Sequence, residues 1–476
     1  MTDLLLIHPP KSDYGKSVFK NFDTYSFLSN IAPLGLLYIA ASCKNQGYSV
    51  KVLDMESEKL SLTGIRRYLR LYLPRAVGIS ITAPVIKNLN ILSKVIKEEA
   101  SIPIIVGGPF ATLYPDVVLK DENIDFVIRY EGEKRLVELL DLLLRGKGSF
   151  NEIRNLSYRL DGRVINGEID TAMEDINSLA FPAREFIPIK NYFSILTKKM
   201  PSIGIIGSRG CPYRCIFCSS VYKTSRRRSI GNIADEIEKT VKSYNIRNFD
   251  FFDPVFNLDN RWVIDLCSEI IKRKLNISWR ARCRPDLIEK YAVLKMEEAS
   301  CQVISLSIES SNNNTLKFLK KGYIIEDVVR AIEIIRLTKI DIHGYFIVGC
   351  PNETKQDMLN TIKFAKETKI DYVDFHILTP FAGSELFSWN EDNKTNPGSR
   401  DLDNNPLIHP TLSHKDIKKM YMKAISSFYL RPSWITKEFI RLIKNPRRYL
   451  NIVCYLMASI ARAYKNRNGS FRMKAP

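Results

Sequence analysis

Short apolar runs at residues 4–7, 50–53, 77–81, 102–106 and 126–128 punctuate the first part of the chain. Between them, segments such as 35–46 and 86–99 repeat their apolar residues at helical spacing. Runs this short and this continuously apolar predict strands buried on both faces, and helices of that length between them predict a parallel sheet flanked on both sides. The rhythm returns later, with strands expected at 203–207, 248–252, 277–280, 303–308, 342–348 and 372–378. Six strand–helix units in succession predict an open, partial barrel. The two patterned regions, 1–147 and 200–388, are separated by a connector over 148–199. In that connector Asp161-Gly162 reads as a hairpin turn, and Pro182 and Pro188 break any long element. Beyond Leu386 the pattern gives way to a polar loop, 390–405, and 389–476 as a whole reads as a basic helical region. The fold class is α/β.

Composition sharpens this only in part. The 476 residues exceed one ordinary core, and 45% hydrophobic with 26% charged residues is the balance of a folded chain. The first apolar run stops at Pro9-Pro10, too short for a signal-peptide core, so a cytoplasmic protein is expected. Charge changes the picture more. The formal net charge is +19, and residues 431–476 carry eleven Lys or Arg against one acid, Glu438, a local excess of 11 − 1 = +10. There Trp434, Ile435, Phe439, Ile440 and Ile443 interleave with Lys437, Arg441 and Lys444, and a second apolar segment follows at 449–461. That pattern suits a helix lying on an anionic bilayer, a peripheral membrane contact, and equally a helix capping the barrel. Nucleic acid is disfavoured, because no recognition helix or stacking aromatic accompanies the charge.

Nine cysteines without an export signal point to thiol or metal chemistry rather than disulfides. Six are scattered (Cys43, Cys267, Cys283, Cys301, Cys350 and Cys454) and read as small buried hydrophobes. The other three form Cys211-Pro212-Tyr213-Arg214-Cys215-Ile216-Phe217-Cys218, on a loop just after an expected strand. Three local thiolates suit a four-iron, four-sulfur cluster with one iron left open. Zinc sites of the ribbon type place ligands in two separated pairs, and the chain has no second pair.

With Phe217 before its last cysteine, this motif resembles that of the radical S-adenosylmethionine (SAM) superfamily. The resemblance runs over roughly residues 200–386. It includes Arg226-Arg227-Arg228-Ser229, Phe252-Asp253-Pro254, the stretch from Trp279 to Arg284, Ser307-Ile308-Glu309-Ser310, the Lys321-Gly322 pair, Gly344 to Thr354, and Thr379-Pro380-Phe381-Ala382-Gly383-Ser384. It implies that Cys211, Cys215 and Cys218 hold the cluster, and that Phe217, Asp253, Arg284, Glu309, Gly349 and Glu353 bind SAM. Two departures stand out: Asp253 is followed by proline rather than a second acid, and Ser307 replaces a glycine.

The first domain resembles the cobalamin (B12)-binding domain that precedes the radical domain in one branch of the superfamily. The likeness rests on residues 33–40, on Ile104-Ile105-Val106-Gly107-Gly108-Pro109, and on Glu131-Gly132-Glu133. It implies cobalamin contacts from Thr82, Gly107, Gly108 and Pro109. The Asp-x-His-x-x-Gly element that supplies an axial histidine elsewhere is absent, and His8 stands alone at the end of the first strand.

The expected architecture is therefore a flavodoxin-like or Rossmann-like sheet domain, a partial (β/α)6 radical SAM barrel, and a basic helical tail. The resemblance implies an anaerobic enzyme that cleaves SAM to a 5′-deoxyadenosyl radical. That radical would activate a carbon, which methylcobalamin would then methylate. It also implies a small electron donor such as ferredoxin or flavodoxin and an organic substrate that the sequence does not name; a membrane contact through the basic tail would suit a hydrophobic or lipid one. Two alternatives stay open: radical cyclisation, oxidation or rearrangement without methyl transfer, and a cobalamin-responsive binding protein with a structural cluster. No residue is singled out as catalytic.

Overall fold

The computed structural model describes residues 2–10, 29–82, 85–170, 174–194, 196–197, 200–393 and 407–444. The first sheet contains β1 (Thr2–His8), β2 (Val50–Asp54), β3 (Pro74–Ser80), β4 (Ile104–Gly107), β5 (Phe126–Ile128), β6 (Leu156–Leu160) and β7 (Arg163–Asn166). Its order is β2-β1-β3-β4-β5-β6-β7. The five apolar strands are parallel; β6 and β7 join antiparallel beside β5.

Alternation along β1 feeds two separate cores. Leu4 and Leu6 pack with helices α1 (Leu34–Asn45) and α4 (Arg135–Arg145), whereas Leu5 and Ile7 pack with α2 (Ile65–Tyr72) and α3 (Ile86–Glu99). The hairpin assigned from sequence to the connector thus extends this sheet. Leu156 and Tyr158 bury against the α1/α4 core, and the pairing covers an edge that β5 would otherwise expose.

The second sheet is wholly parallel. Its strands are β8 (Ile203–Ile205), β11 (Asn248–Phe251), β12 (Ser278–Cys283), β13 (Cys301–Glu309), β14 (Asp341–Val348) and β15 (Tyr372–Ile377), in that spatial order. Between β8 and β11 a two-rung hairpin, β9 (Ser208–Arg209) with β10 (Arg226–Arg227), closes the base of the cysteine loop. Outer helices, among them α5 (Ile230–Tyr244), α6 (Asn260–Lys272), α7 (Lys290–Glu298), α8 (Ile325–Ile335) and α9 (Lys355–Glu367), bury their apolar stripes on this sheet.

Edge strand β15 is covered by α10 (His414–Tyr429). The Tyr429 hydroxyl donates to the Val373 carbonyl at 2.6 Å and accepts from the Val373 N–H at 2.9 Å, satisfying edge groups that would otherwise be open. Helix α11 (Pro432–Lys444) follows and lies across the amino-terminal ends of β14 and β15, where it meets Asp341 and Asp371. The second apolar tail segment, 449–461, and most of the polar loop lie outside the described residues.

Candidate functional site

The cysteine loop leaves β9 through Gly210, whose φ is +85° and whose added Cβ would stand 1.9 Å from the Thr224 carbonyl oxygen. Only glycine fits there, and the turn throws Cys211, Cys215 and Cys218 out beyond the sheet. All three thiols are free and half-buried. The loop is pinned in the middle, where Ile216 N–H donates to Leu319 O at 3.2 Å and Ile216 O accepts from Leu386 N–H at 2.8 Å. Among the described residues, no three His, Cys, Asp or Glu side chains converge on a single-ion site. Three free, half-buried thiols on one loop suit the thiolate ligation of an iron–sulfur core.

Under the loop lies a cavity of about 510 Å³, a size that accepts a nucleoside-bearing ligand. Phe217, Glu309, Tyr345, His376, Phe381 and Tyr421 are among its walls. Glu309 is buried, sits at φ +66°, and marks a register shift between β13 and β14. A non-glycine residue held there is strained backbone that aims one side chain. Lys321 Nζ donates to Glu309 Oε1 at 2.9 Å and stands 5.6 Å from the Phe217 ring centre. Burial works against the Lys321 ammonium, but the charge and hydrogen bond of Glu309 together with Tyr323 and Cys215 raise the lysine pKa above its ordinary value.

Other residues singled out from sequence sit behind this wall. Asp253 is 1% exposed and accepts from Gly207 N–H at 3.0 Å and from Ser208 Oγ at 2.6 Å. It therefore grips the base of the cysteine loop, and burial pushes its carboxyl up to about 6. The same bond explains why β8 stops at Ile205 although the pattern runs to 207: the Gly207 N–H has left the ladder for Asp253. Arg284 donates to the Lys321 carbonyl at 2.6 Å and stacks 3.5 Å from the centre of the Tyr213 ring, inside the cysteine loop. Gly349, at φ +83°, lets Ile417 of α10 approach where a Cβ would stand 2.6 Å away. Glu353 accepts from Cys350 N–H at 2.9 Å, and burial pushes it up to about 7.

The first sheet offers its own site at the carboxyl ends of its strands. A slot enclosing about 50 Å³ is lined by Leu6, Ile39, Gly78, Gly107, Gly108 and Gly132, among others. Side chains at two of these glycines would close it: a Cβ on Gly78 would stand 2.7 Å from Leu6, and one on Gly132 would stand 3.4 Å from Ile39. Gly108 is at φ +100°, with a Cβ position 2.6 Å from the Ile81 carbonyl oxygen. The slot is too small for a corrin ring, so a corrinoid would be held at its mouth, where Thr82 and Pro109 are exposed. His8 gives its Nδ1 to Asp54 at 2.9 Å, and Asp54 also accepts from Tyr192 at 2.7 Å.

The two strand-end sites are tied together. Arg209, two residues before Cys211, reaches Glu131 Oε1 at 3.1 Å and Glu133 Oε1 at 2.6 Å, the residues on either side of slot-lining Gly132. Arg226 also binds Glu131, and Tyr130 packs on Tyr222 at 5.9 Å between ring centres. The sequence reading assigns no site role to this clamp or to Lys321, Tyr345, His376 and Tyr421. The Glu-Gly-Glu and Lys-Gly motifs that contain some of them were the available signals.

Residues 205–365 match the radical SAM superfamily, and residues 24–140 match the B12 binding domain. The chain is 30% identical over 438 residues to the "uncharacterized methyltransferase PH0819" of Pyrococcus horikoshii, covering 89% of this chain and 94% of that one. It is 27% identical to the anaerobic magnesium-protoporphyrin IX monomethyl ester cyclase of Rubrivivax gelatinosus, covering 81% and 69%. The radical SAM methyltransferase TsrM of Kitasatospora setae has the same fold, with a TM-score of 0.67, 18% identity, and coverage of 89% and 83%.

Proposed function

We propose, since this chain belongs to the radical SAM superfamily and to its branch with an amino-terminal B12 binding domain, that it methylates an unactivated carbon of an organic substrate. The observation that carries this reading is the Arg209 clamp on Glu131 and Glu133, which joins the cysteine loop to the rim of the glycine-lined slot. An enzyme that used only one of the two sites would have no chemical need to hold them in register.

When bound, the cluster with SAM supplies a carbon radical, and the corrinoid supplies a methyl group. In this reading Cys211, Cys215 and Cys218 hold the iron–sulfur cluster, and Thr82, Gly107, Gly108 and Pro109 form the ledge for the corrinoid. Glu309, held by Lys321, accepts hydrogen bonds from SAM, and Phe217 walls it from the loop side. Asp253, Arg284, Gly349 and Glu353 act through others: they fix the loop base, the Lys321 backbone and the packing of α10. Tyr345, His376, Phe381 and Tyr421 remain for the substrate. Their aromatic faces suit a hydrophobic body, and their few polar tips suit one polar edge. A ferredoxin or flavodoxin supplies the electron.

Similarity to a cyclase keeps one second reading in view, radical ring chemistry without methyl transfer. Anaerobic reconstitution with iron, sulfide and hydroxocobalamin separates the outcomes. About four irons and one cobalt per chain support the proposal, and Cys215→Ser should abolish the iron. Iron without cobalt would remove methylation, and zinc without iron would overturn the radical reading altogether. Once a substrate is in hand, a product heavier by one carbon distinguishes methylation from cyclisation.

A further inference from the structure

His8 is the sole histidine of residues 1–342, and it ends β1 in a polar cluster that the cysteine loop does not use. Its Nδ1–H donates to Asp54 Oδ1 at 2.9 Å. Asp54 is 1% exposed and also accepts from the Tyr192 hydroxyl on Oδ2 at 2.7 Å and from Ser57 N–H on Oδ1 at 3.1 Å. Tyr192 is itself sealed in the α1/α4 core. Three donors thus fix the carboxylate, and the carboxylate fixes the imidazole ring. Tyr192 and Ser57 already engage both carboxylate oxygens, so satisfying Asp54 does not require a histidine. With the Nδ1 proton committed, Nε2 carries the lone pair. Among the described residues no group bonds that nitrogen, and the His8 side chain is 29% exposed. An imidazole oriented through one nitrogen by a buried carboxylate, with the other nitrogen free, is how proteins present histidine to a metal.

Strand pairing places this ring at the glycine-lined slot. His8 follows slot-lining Leu6 by two residues, so both side chains leave β1 on the same face. Parallel register sets Ile7 beside Ile79 and Ser80 beside Gly107. His8, Ser80 and Gly107 therefore form one row across the carboxyl ends of β1, β3 and β4. Ser80 and Gly107 line the slot, whose lining offers no imidazole, thiol or carboxylate of its own.

We propose that His8 Nε2 is the axial ligand to the cobalt of the bound corrinoid, in place of a water molecule. This rests on the reading that a corrinoid occupies the ledge at the slot mouth, and it adds the residue that grips the metal. Asp54, Tyr192 and Ser57 are positioning residues, which hold the ring and its tautomer. An axial imidazole anchors the metal independently of the corrinoid's nucleotide tail, so a corrinoid without that tail should still be retained.

The full chain, reconstituted anaerobically with iron and sulfide in imidazole-free buffer, is loaded with hydroxocobalamin or with cobinamide, which lacks the nucleotide base. In cobalt(II) the unpaired electron lies along the axial direction, so electron paramagnetic resonance reads the axial atom directly. With cobinamide, each cobalt line should split into a triplet from one nitrogen. Protein grown on histidine carrying the heavy nitrogen isotope should give a doublet instead. His8→Ala should lose the splitting and bind cobinamide about tenfold or more weakly, as when a metal's ligand shell is disturbed. Added unlabelled imidazole should restore the triplet. The labelled parent protein answers without any variant. Cobinamide bound without splitting, or an isotope-sensitive splitting that persists in His8→Ala, would overturn the proposal and leave the corrinoid reading intact. So would cobalt retained from hydroxocobalamin but not from cobinamide, which would make the nucleotide tail the anchor. Cobalt retained from neither would remove the corrinoid reading and this proposal with it.

Discussion

Arg209 Nη2 stands 2.6 Å from Glu133 Oε1, across 76 residues of sequence and between two domains. The arginine belongs to the hairpin that closes the cysteine loop, and the glutamate to the turn after β5. Both side chains are largely buried, at 15% and 8% exposure, so this pair is shielded from the solvent screening that makes surface pairs weak.

Arg209→Ala should therefore cost about 2–4 kcal/mol of stability, because Glu133 is left buried without its arginine while Glu131 keeps only Arg226. Arg209→Lys should recover less than half, since an ammonium cannot bridge two carboxylates as the guanidinium fork does. Urea unfolding of the three proteins measures this, and an alanine variant as stable as the parent would show that the domains are held together elsewhere.

Two glycines should separate the two cofactors. Gly210→Ala forces a Cβ to within 1.9 Å of the Thr224 carbonyl at φ +85°, so the cysteine loop must shift. Gly108→Ala sets a Cβ 2.6 Å from Ile81 O at φ +100°. After anaerobic reconstitution, the first variant should lose iron and keep cobalt, and the second should do the reverse. Metal analysis of both decides, and parallel loss of both metals in either variant would mean global misfolding instead.

Lys321→Met leaves Glu309 buried without its counter-charge, at a cost of about 3–5 kcal/mol. Adding Glu309→Gln removes the unpaired charge and should restore most of that stability. It should not restore SAM binding, which is expected to fall about tenfold or more in both variants, as for loss of a charged hydrogen-bond partner. Unfolding and equilibrium SAM binding on the same samples give the two halves of the cycle. Full SAM affinity in the double variant would remove Glu309 from the site.

Glu353 supplies a pH signature. Burial raises its folded-state pKa from 4.5 to about 7, so the folded chain keeps a proton that the unfolded chain has released. The resulting stabilisation is complete below the unfolded value and disappears as pH rises through about 7. Glu353→Gln keeps the neutral shape at every pH. It should match the parent near pH 5 and exceed it near pH 8 by about 1–3 kcal/mol, read from melting temperatures across that range. Curves that stay parallel would show that Glu353 is ionised in the folded state.

Both sheets were legible in the residues themselves, because a strand buried on two faces needs an unbroken apolar run, as in Leu4-Leu5-Leu6-Ile7. The cysteine loop was legible as a motif for a similar reason: its three thiols lie within eight residues, so they are neighbours before the chain folds. The tertiary structure decided everything that depends on which strand ends meet. Lys321 pairs with Glu309 only because a bulge aims the glutamate beneath the loop, and Arg209 finds Glu133 only because the two sheets face each other at their carboxyl ends. Tyr421 joins the cavity from α10, far along the chain. The periodicity of α11 announced an amphipathic helix but not which side faces in. Asp341 and Asp371, set side by side by strand pairing, drew the cationic face inward and left the apolar one outside. Periodicity records local geometry, whereas burying a charge requires a partner that only the folded chain can bring.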